Sequence, residues 1–236
     1  MNYSYLFESK VEKSLLSDSV ILEGRTVHVA LSGGADSVCL LYCMKSISEK
    51  HKFELKAVHV NHLIRLENDE TFRDENFCIS LCESLGVELD VVRINVPEKA
   101  VSLKCGLEEA ARIVRYDYFS KFDCVATAHN ATDNVETVLF HIVRGTAVYG
   151  LTGIPSVRNN IIRPLLNMKR SEIIEYLKAK NASYVIDSTN FDTNYTRNYI
   201  RNVIVPNMKK INPSFEEAVL RLVRLRVLTR IILKIK

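Results

Sequence analysis

Apolar and polar positions follow two rhythms along this chain. Short β-rich apolar runs at Thr26–Leu31, Phe53–Val60, Val87–Val96 and Cys124–Ala128 predict strands. Apolar spacings of three and four predict helices over Val11–Leu22, Asp36–Glu49, Asp69–Leu85, Leu107–Phe119 and Thr132–Val143. Gly86 stands as a helix C-cap, and Gly145 marks the end of the last of these helices. Strand and helix alternate at intervals suited to parallel βαβ units. The expected fold class is therefore α/β, an open, doubly wound, mostly parallel sheet with its ligand outside the carboxyl ends of the strands. After Gly150 the alternation weakens. Arg163-Pro164 reads as a turn, Lys169–Lys180 as an amphipathic helix and Asp187–Asn194 as a polar loop. A helix starting at Arg197 is expected to be limited by Pro206, and Pro213 opens a last basic helix with Asn212 as its N-cap.

Composition narrows the class. With 236 residues, 47% hydrophobic and 25% charged, the chain suits one ordinary domain plus an extension. No stretch is apolar enough to span a membrane, and Met1–Lys13 lacks a signal-peptide apolar core, so a cytoplasmic location is expected. Six cysteines form no C-x-x-C pair; Cys39/Cys43 and Cys78/Cys82 share helix faces and read as small core residues. Metal or cluster ligands would be spaced more tightly. From Arg197 to Lys236 ten basic residues face two acids, a net +8, leaving 22 basic against 26 acidic residues, or −4, elsewhere. Such a basic end suits a polyanion such as nucleic acid, or equally a solvated helix face.

The chemistry concentrates where the first strand meets the first long helix of the alternation. Ser32, Gly33, Gly34, Ala35, Asp36 and Ser37 form a glycine-rich turn there. Glycines let the backbone approach a ligand, and amide groups at a helix N-terminus can face phosphate oxygens. Ser32 and Ser37 offer hydroxyl donors. Asp36 would repel phosphate unless a cation lay between, so the loop implies nucleotide with Mg²⁺. A Walker loop would need a different glycine spacing and a lysine. S-G-G-x-D-S instead resembles the loop of the ATP pyrophosphatase, or PP-loop, superfamily.

A second constellation follows the fourth strand. On a helix His129, Asp133 and Glu136 would fall at i, i+4 and i+7 and share one face, able to hold Mg²⁺ or a cationic substrate. Alternatively Asn130 caps that helix and Asp133 reaches back to it. Arg112 and Arg115 could face the site and hold phosphate, or Arg112 could pair with Glu108 on the surface. Arg197 and Arg201, beside Asn198 and Asn202, suit a phosphate or an RNA backbone, or else a salt-bridged loop.

Taken together, the chain resembles the tRNA(Ile)-lysidine synthetase family. The matching segments are S-G-G-A-D-S (32–37), H-V-N-H-L-I-R (59–65), L-E-E-A-A-R-I-V-R-Y (107–116) and A-H-N-A-T-D-N-V-E-T (128–137). R-G-T-A-V-Y-G-L-T-G-I (144–154), R-P-L-L (163–166), D-S-T-N (187–190) and Y-T-R-N-Y-I-R (195–201) follow in the family's order. The resemblance implies that ATP adenylylates the wobble cytidine of an isoleucine tRNA with a CAU anticodon. The side-chain amine of free L-lysine then displaces AMP. Residues 32–37 would cradle the ATP phosphates. Asp36, with Asp133 or Glu136, would hold Mg²⁺, and the remaining carboxylate would bind the lysine ammonium. Arg112 and Arg197 would hold phosphate or tRNA, with Arg115 and Arg201 in the same role, and His129 is the candidate base. The expected division is a PP-loop catalytic domain over 1–205 and a basic helical extension over 206–236. Longer members carry further C-terminal domains that help select the tRNA, so this end reads as a minimal or truncated tRNA-binding part. A homodimer is a possible assembly. Two rivals stand beside this reading, a tRNA 2-thiolation enzyme, which the missing C-x-x-C disfavours, and a non-catalytic RNA-binding module.

Overall fold

The computed structural model describes residues 2–18, 20–64, 70–186 and 196–234, with side chains throughout except at 70, 71, 148, 149 and 226–234. The D-S-T-N segment at 187–190, Tyr195 and Arg65 lie outside the described residues. Six strands form one sheet: β1 (Thr26–Ala30), β2 (Glu54–Asn61), β3 (Glu88–Arg93), β4 (Cys124–Ala126), β5 (Val157–Arg158) and β6 (Ile161–Ile162). Their spatial order is β3-β2-β1-β4-β6-β5, parallel except for the β5–β6 hairpin. Parallel strands are covered on both faces, which is why β1 reads as a nearly continuous apolar run with Val27 and Val29 fully buried. From β1 the chain builds outward through β2 and β3, then crosses back to place β4 on the other side of β1. That reversal opens a crevice beyond the carboxyl ends of β1 and β4, where doubly wound sheets bind ligands.

Helices cover the sheet. They are α1 (Tyr3–Ser17), α2 (Ala35–His51), α3 (Glu70–Leu85), α4 (Val96–Leu103), α5 (Leu107–Phe119) and α6 (Ala131–Val143). Then come α7 (Arg170–Ala179), α8 (Thr196–Tyr199), α9 (Val205–Ile211) and α10 (Phe215–Lys234). The main core joins α1, α2 and α7 to the sheet through residues such as Val11, Leu40, Leu41, Met44, Ile173 and Tyr176. Five of the six cysteines are buried, as expected of small core residues, and Cys105 is half-buried.

Several boundaries differ from the sequence expectation. The first helix starts at Tyr3, where the Asn2 side chain accepts a hydrogen bond from the Ser4 N–H, and it ends at Ser17 rather than reaching Leu22. β3 stops at Arg93, because Asn95 caps a further helix, α4, with Pro97 in its first turn. The helix begun at Thr196 continues past Pro206. A π-helical turn, Ile200–Ile204, changes the hydrogen-bond register just before the proline, which then sits in the first turn of α9 where its missing N–H is harmless. α10 begins at Phe215 rather than at Pro213, with the Ser214 carbonyl accepting its first helical bond, while Asn212 forms the turn before it, its side chain accepting from the Ser214 N–H at 3.0 Å. α10 is not a free tail: Phe215, Val219 and Leu220 pack with Val135, Leu139 and Phe140 of α6.

Candidate functional site

The turn between β1 and α2 lies at the head of the crevice. Gly33 adopts φ +84°, a left-handed conformation open chiefly to glycine, and its carbonyl accepts from the Val185 N–H at 2.9 Å. Gly34 is different. It caps α2 in an extended conformation that any residue can adopt, and a Cβ there would meet nothing closer than Ser32 Oγ at 3.6 Å. The fold therefore demands a glycine at 33 but only tolerates one at 34, where a bare backbone leaves room for a ligand. The Ser37 hydroxyl is spent on the loop itself: it donates to the Gly34 carbonyl at 2.9 Å and accepts from the Ser32 N–H at 3.1 Å.

Facing this turn is the start of α6. Asn130 is its N-cap, accepting from the N–H groups of Thr132 and Asp133, while Asp133 Oδ2 accepts from the Asn130 N–H at 2.9 Å. This reciprocal capping box places His129 before the helix, so the expected three-residue helix face is reduced to Asp133 and Glu136. Capping does not exhaust Asp133. Its other oxygen accepts from Arg201 Nη2 at 3.1 Å, and Arg201 also grips Glu136 in two hydrogen bonds, of 2.5 and 2.9 Å. Glu136 is only 2% exposed. Burial raises its pKa, partly offset by Arg201; burial also raises that of Asp133, helped by the nearby charge of Asp36. For Arg201 burial works downward, but the Glu136 carboxylate outweighs it and holds the guanidinium above its ordinary value.

Asp36 sits between the two elements. One oxygen accepts from Asn130 Nδ2 at 3.1 Å, and the other forms an ion pair with Arg170. The three carboxylates are thus divided between two arginines. Among the described residues no three His, Cys, Asp or Glu side chains converge as a metal-ligand set, so any ion here would rest on one or two carboxylates. Mg²⁺ in phosphate sites commonly takes one or two carboxylates plus substrate oxygens and water, and the half-exposed Asp36 at the loop fits that pattern alone.

Asp36, Asp133 and Arg201 line a cleft of about 460 Å³ over the ends of β1, β2 and β4, with Glu136 buried behind Arg201. Its β2 side is apolar and aromatic, with Val58, Val60, Tyr116 and Phe119. Arg115 and Arg197 line it as well, and neither pairs with a carboxylate among the described residues. Burial lowers the Arg115 pKa, and the neighbouring charges of Arg112 and Arg197 act in the same direction, against a smaller opposing pull from Glu108. Arg112 is exposed, stacked over the Tyr116 ring at 4.9 Å and outside the cleft lining; it makes no ion pair with Glu108. His129 lines the cleft beside Thr127, and burial, with Arg163, Arg115, Arg197 and Arg112 nearby, pushes its pKa down to about 3. It is a neutral imidazole and a weak base at neutral pH.

Four residues in or behind the cleft were given no role by the sequence. His62 lines the cleft with a buried, unpartnered Nε2 and a pKa pushed down to about 4 by burial and Arg115. Arg163 is buried, with Nη1 donating to the Pro155 carbonyl at 2.7 Å. Gly153, at φ +65°, leaves no room for a side chain, since a Cβ would collide with Asn134 Oδ1. Arg170 carried one legible signal: it is a cation at a helix N-terminus, where the helix dipole disfavours it.

Comparison with known proteins places this geometry. The family model described as the PP-loop domain matches residues 5–208. A tRNA(Ile)-lysidine synthase of Pseudothermotoga lettingae is 42% identical over 218 residues, covering 90% of this chain and 48% of that protein. One from Bacteroides thetaiotaomicron is 37% identical, covering 91% of this chain and 50% of its own length. The chain thus spans about half the length of the curated relatives it matches. Among solved structures, a U34-tRNA thiolase, NcsA, from Methanococcus maripaludis with its [4Fe-4S] cluster superposes with a TM-score of 0.74 at 21% identity, covering 95% of this chain and 80% of the other. That likeness is one of fold.

Proposed function

Because the chain belongs to the PP-loop domain family, we propose that it binds ATP at residues 32–37 and uses it to join L-lysine to the wobble cytidine of a tRNA(Ile) with a CAU anticodon. The observation that carries this reading is the meeting, at the β1/β4 crevice, of the S-G-G-A-D-S turn with Asp133 and Arg201, the latter backed by the buried Glu136. Curated relatives at about 40% identity over most of the chain support the substrate assignment.

The proposed roles follow from the geometry. The open backbone at Gly34 and the N-terminus of α2 receive the ATP phosphates, with Ser32, Gly33, Ala35 and Ser37 shaping the loop. Asp36 is the proposed Mg²⁺ carboxylate; when bound, the ion offsets charge developing on the departing pyrophosphate. Arg115 and Arg197 supply fixed positive charge to the phosphates. Arg112, exposed beside the cleft, and the Arg197 end of α8 suit the tRNA backbone. Asp133 and Glu136 already bind one cationic side chain, Arg201, and are the proposed seat of the lysine ammonium, with Mg²⁺ left to Asp36. The amine must lose its proton before it attacks. The neutral His129 orients groups by hydrogen bonding and is too weak a base to be assigned that proton.

The basic helices α9 and α10, treated as an extension from residue 206, are the proposed tRNA-facing part. A cytoplasmic location accords with a tRNA substrate, and no described helix is long and apolar enough to cross a membrane. A homodimer belongs to the proposal as an assembly to be weighed by sedimentation. Thiolation is disfavoured by the cysteines, five of which are buried in the core rather than lining the cleft.

The test is an assay with ATP, L-lysine and tRNA(Ile) bearing CAU. Lysine-dependent release of AMP and pyrophosphate with lysine incorporated into the tRNA supports the proposal. Sulfur incorporation would favour thiolation, and binding without turnover would leave an RNA-binding module.

A further inference from the structure

The carboxylate of the phosphate loop is not waiting free for a metal. Asp36 Oδ2 is ion-paired with Arg170 Nη1, in the first turn of α7, while Oδ1 is held by Asn130. A second observation points the same way. Cations are disfavoured at a helix N-terminus, yet α7 opens with Lys169 and Arg170. Each is matched to a distant carboxylate: Lys169 to Glu217 at 2.6 Å, and Arg170 to Asp36. The N-terminus of α7 is itself fixed against α6, since the Met168 carbonyl accepts from the Ala131 N–H at 3.0 Å. The Arg170 guanidinium is therefore delivered to Asp36 by the same backbone that sets the Asn130 cap.

Two demands compete for one carboxylate. Without ligand, Asp36 lies near the carboxylate of Asp133, and a counterion relieves their repulsion. With nucleotide, the same oxygen must face a divalent cation. Arg170 is 45% exposed at its side chain and borders a second cleft, lined by Lys169, Arg201 and Lys209 but also by Glu216 and Glu217, whose carboxylates can receive a displaced guanidinium.

We propose that Arg170 is an exchangeable counterion for Asp36, a positioning residue that holds the loop carboxylate in the ligand-free protein and yields it to the divalent cation arriving with nucleotide. Arg170 thereby sets how much divalent cation the loop needs. This rests on the reading of residues 32–37 as an ATP site with Asp36 as its metal carboxylate.

The experiment measures binding rather than turnover. Mn²⁺ is titrated, by electron paramagnetic resonance of the free ion, into the full chain saturated with a non-hydrolysable ATP analogue. The wild type is compared with Arg170→Met, Arg170→Lys and Asp36→Asn, with circular dichroism confirming the fold of each. Removing a partly exposed ion-pair competitor should lower the Mn²⁺ midpoint of Arg170→Met roughly two- to fivefold. Arg170→Lys should keep a midpoint near that of the wild type, and Asp36→Asn should raise it strongly. A midpoint that is unchanged or higher in Arg170→Met, with nucleotide still bound, overturns the counterion role and leaves the ATP site standing. If the wild type binds no nucleotide at any Mn²⁺ concentration, the ATP reading and this inference fall together. If Arg170→Met unfolds, Arg170→Gln and Arg170→Lys decide the matter: a lowered midpoint in the neutral variant alone supports the exchange, and equal midpoints refute it.

Discussion

Replacing Arg201 with methionine isolates the electrostatic design of the cleft. The substitution keeps much of the stem volume and removes the only cation paired with Glu136 among the described residues. Stripping one partner from a fully buried pair costs about 3–5 kcal/mol, chiefly because a charge is left buried and unpaired. Here the carboxylate is buried but the arginine side chain is 38% exposed, so solvent screening reduces the expected loss to about 2–3 kcal/mol. Urea denaturation at pH 7.5 reads the loss directly. The sign of its pH dependence is a second check. Burial already raises the pKa of Glu136, and losing Arg201 raises it further. A carboxyl group whose folded pKa lies above its unfolded value destabilises the fold as pH rises through that pKa, and ceases to do so once protonated. The deficit of Arg201→Met should therefore shrink as pH falls toward 5. Adding Glu136→Gln to Arg201→Met should recover part of the stability at pH 7.5. A deficit below about 0.5 kcal/mol, the ordinary range for surface substitutions, would refute the reasoning. So would one that stays flat between pH 7.5 and 5.

Other expectations are equally direct. Gly34→Ala should leave urea stability within about 0.5 kcal/mol, because its backbone angles are ordinary and its surroundings open. Nucleotide affinity should nevertheless fall about tenfold, equivalent to about 1.4 kcal/mol; equal affinity in a fluorescent-nucleotide titration would remove the cradle role of that backbone. Gly153→Ala should cost well over the ~1 kcal/mol of a simple left-handed glycine replacement, since its Cβ collides with Asn134 Oδ1. Gly24→Ala, at φ +73° with nothing nearby, should cost about 1 kcal/mol and serves as the control in the same denaturation series. His129 and His62, held down to about 3 and about 4, should show no imidazole titration by NMR between pH 5 and 8. Because their folded values lie below the unfolded one, the stability they contribute is present above pH 6.5 and is lost as pH falls below it; a titration near 6.5 would contradict their burial. Deleting α10 would strip Phe215, Val219 and Leu220 from α6, so charge substitution is the cleaner test of its role. Arg221→Gln with Arg224→Gln should weaken tRNA binding and flatten its salt dependence, and an unchanged salt slope would exclude both from the tRNA surface.

Long periodic segments were readable in advance. α5 was expected over Leu107–Phe119 and occupies those residues, and α2, α3 and α6 fall within about two residues of expectation. The central parallel strands announced themselves as short apolar runs because both of their faces are covered. Short elements did not. The β5–β6 hairpin has two residues per strand and exists through pairing with β4, where the N–H groups of Val125 and of Thr127, just past the strand, donate to Asn160 and Ile162. α4 was hidden behind a β-like run, and the passage through Pro206 depends on a π-helical turn that no periodicity predicts.

For the site, the sequence by itself determined the strand-turn-helix around residues 32–37, the capping box at Asn130 and Asp133, and the residue types gathered near them. These are local matters, decided by backbone angles and by hydrogen bonds spanning a few residues. Tertiary structure decided which charge meets which. Arg201 reaches Asp133 and Glu136 across 68 and 65 residues, and Arg170 reaches Asp36 from a helix that follows all six strands in the chain. His129 likewise owes its neutrality to burial and to four arginines drawn from distant segments. Charge interactions depend on distance in space and on burial, and neither is written in the spacing of residues along a chain.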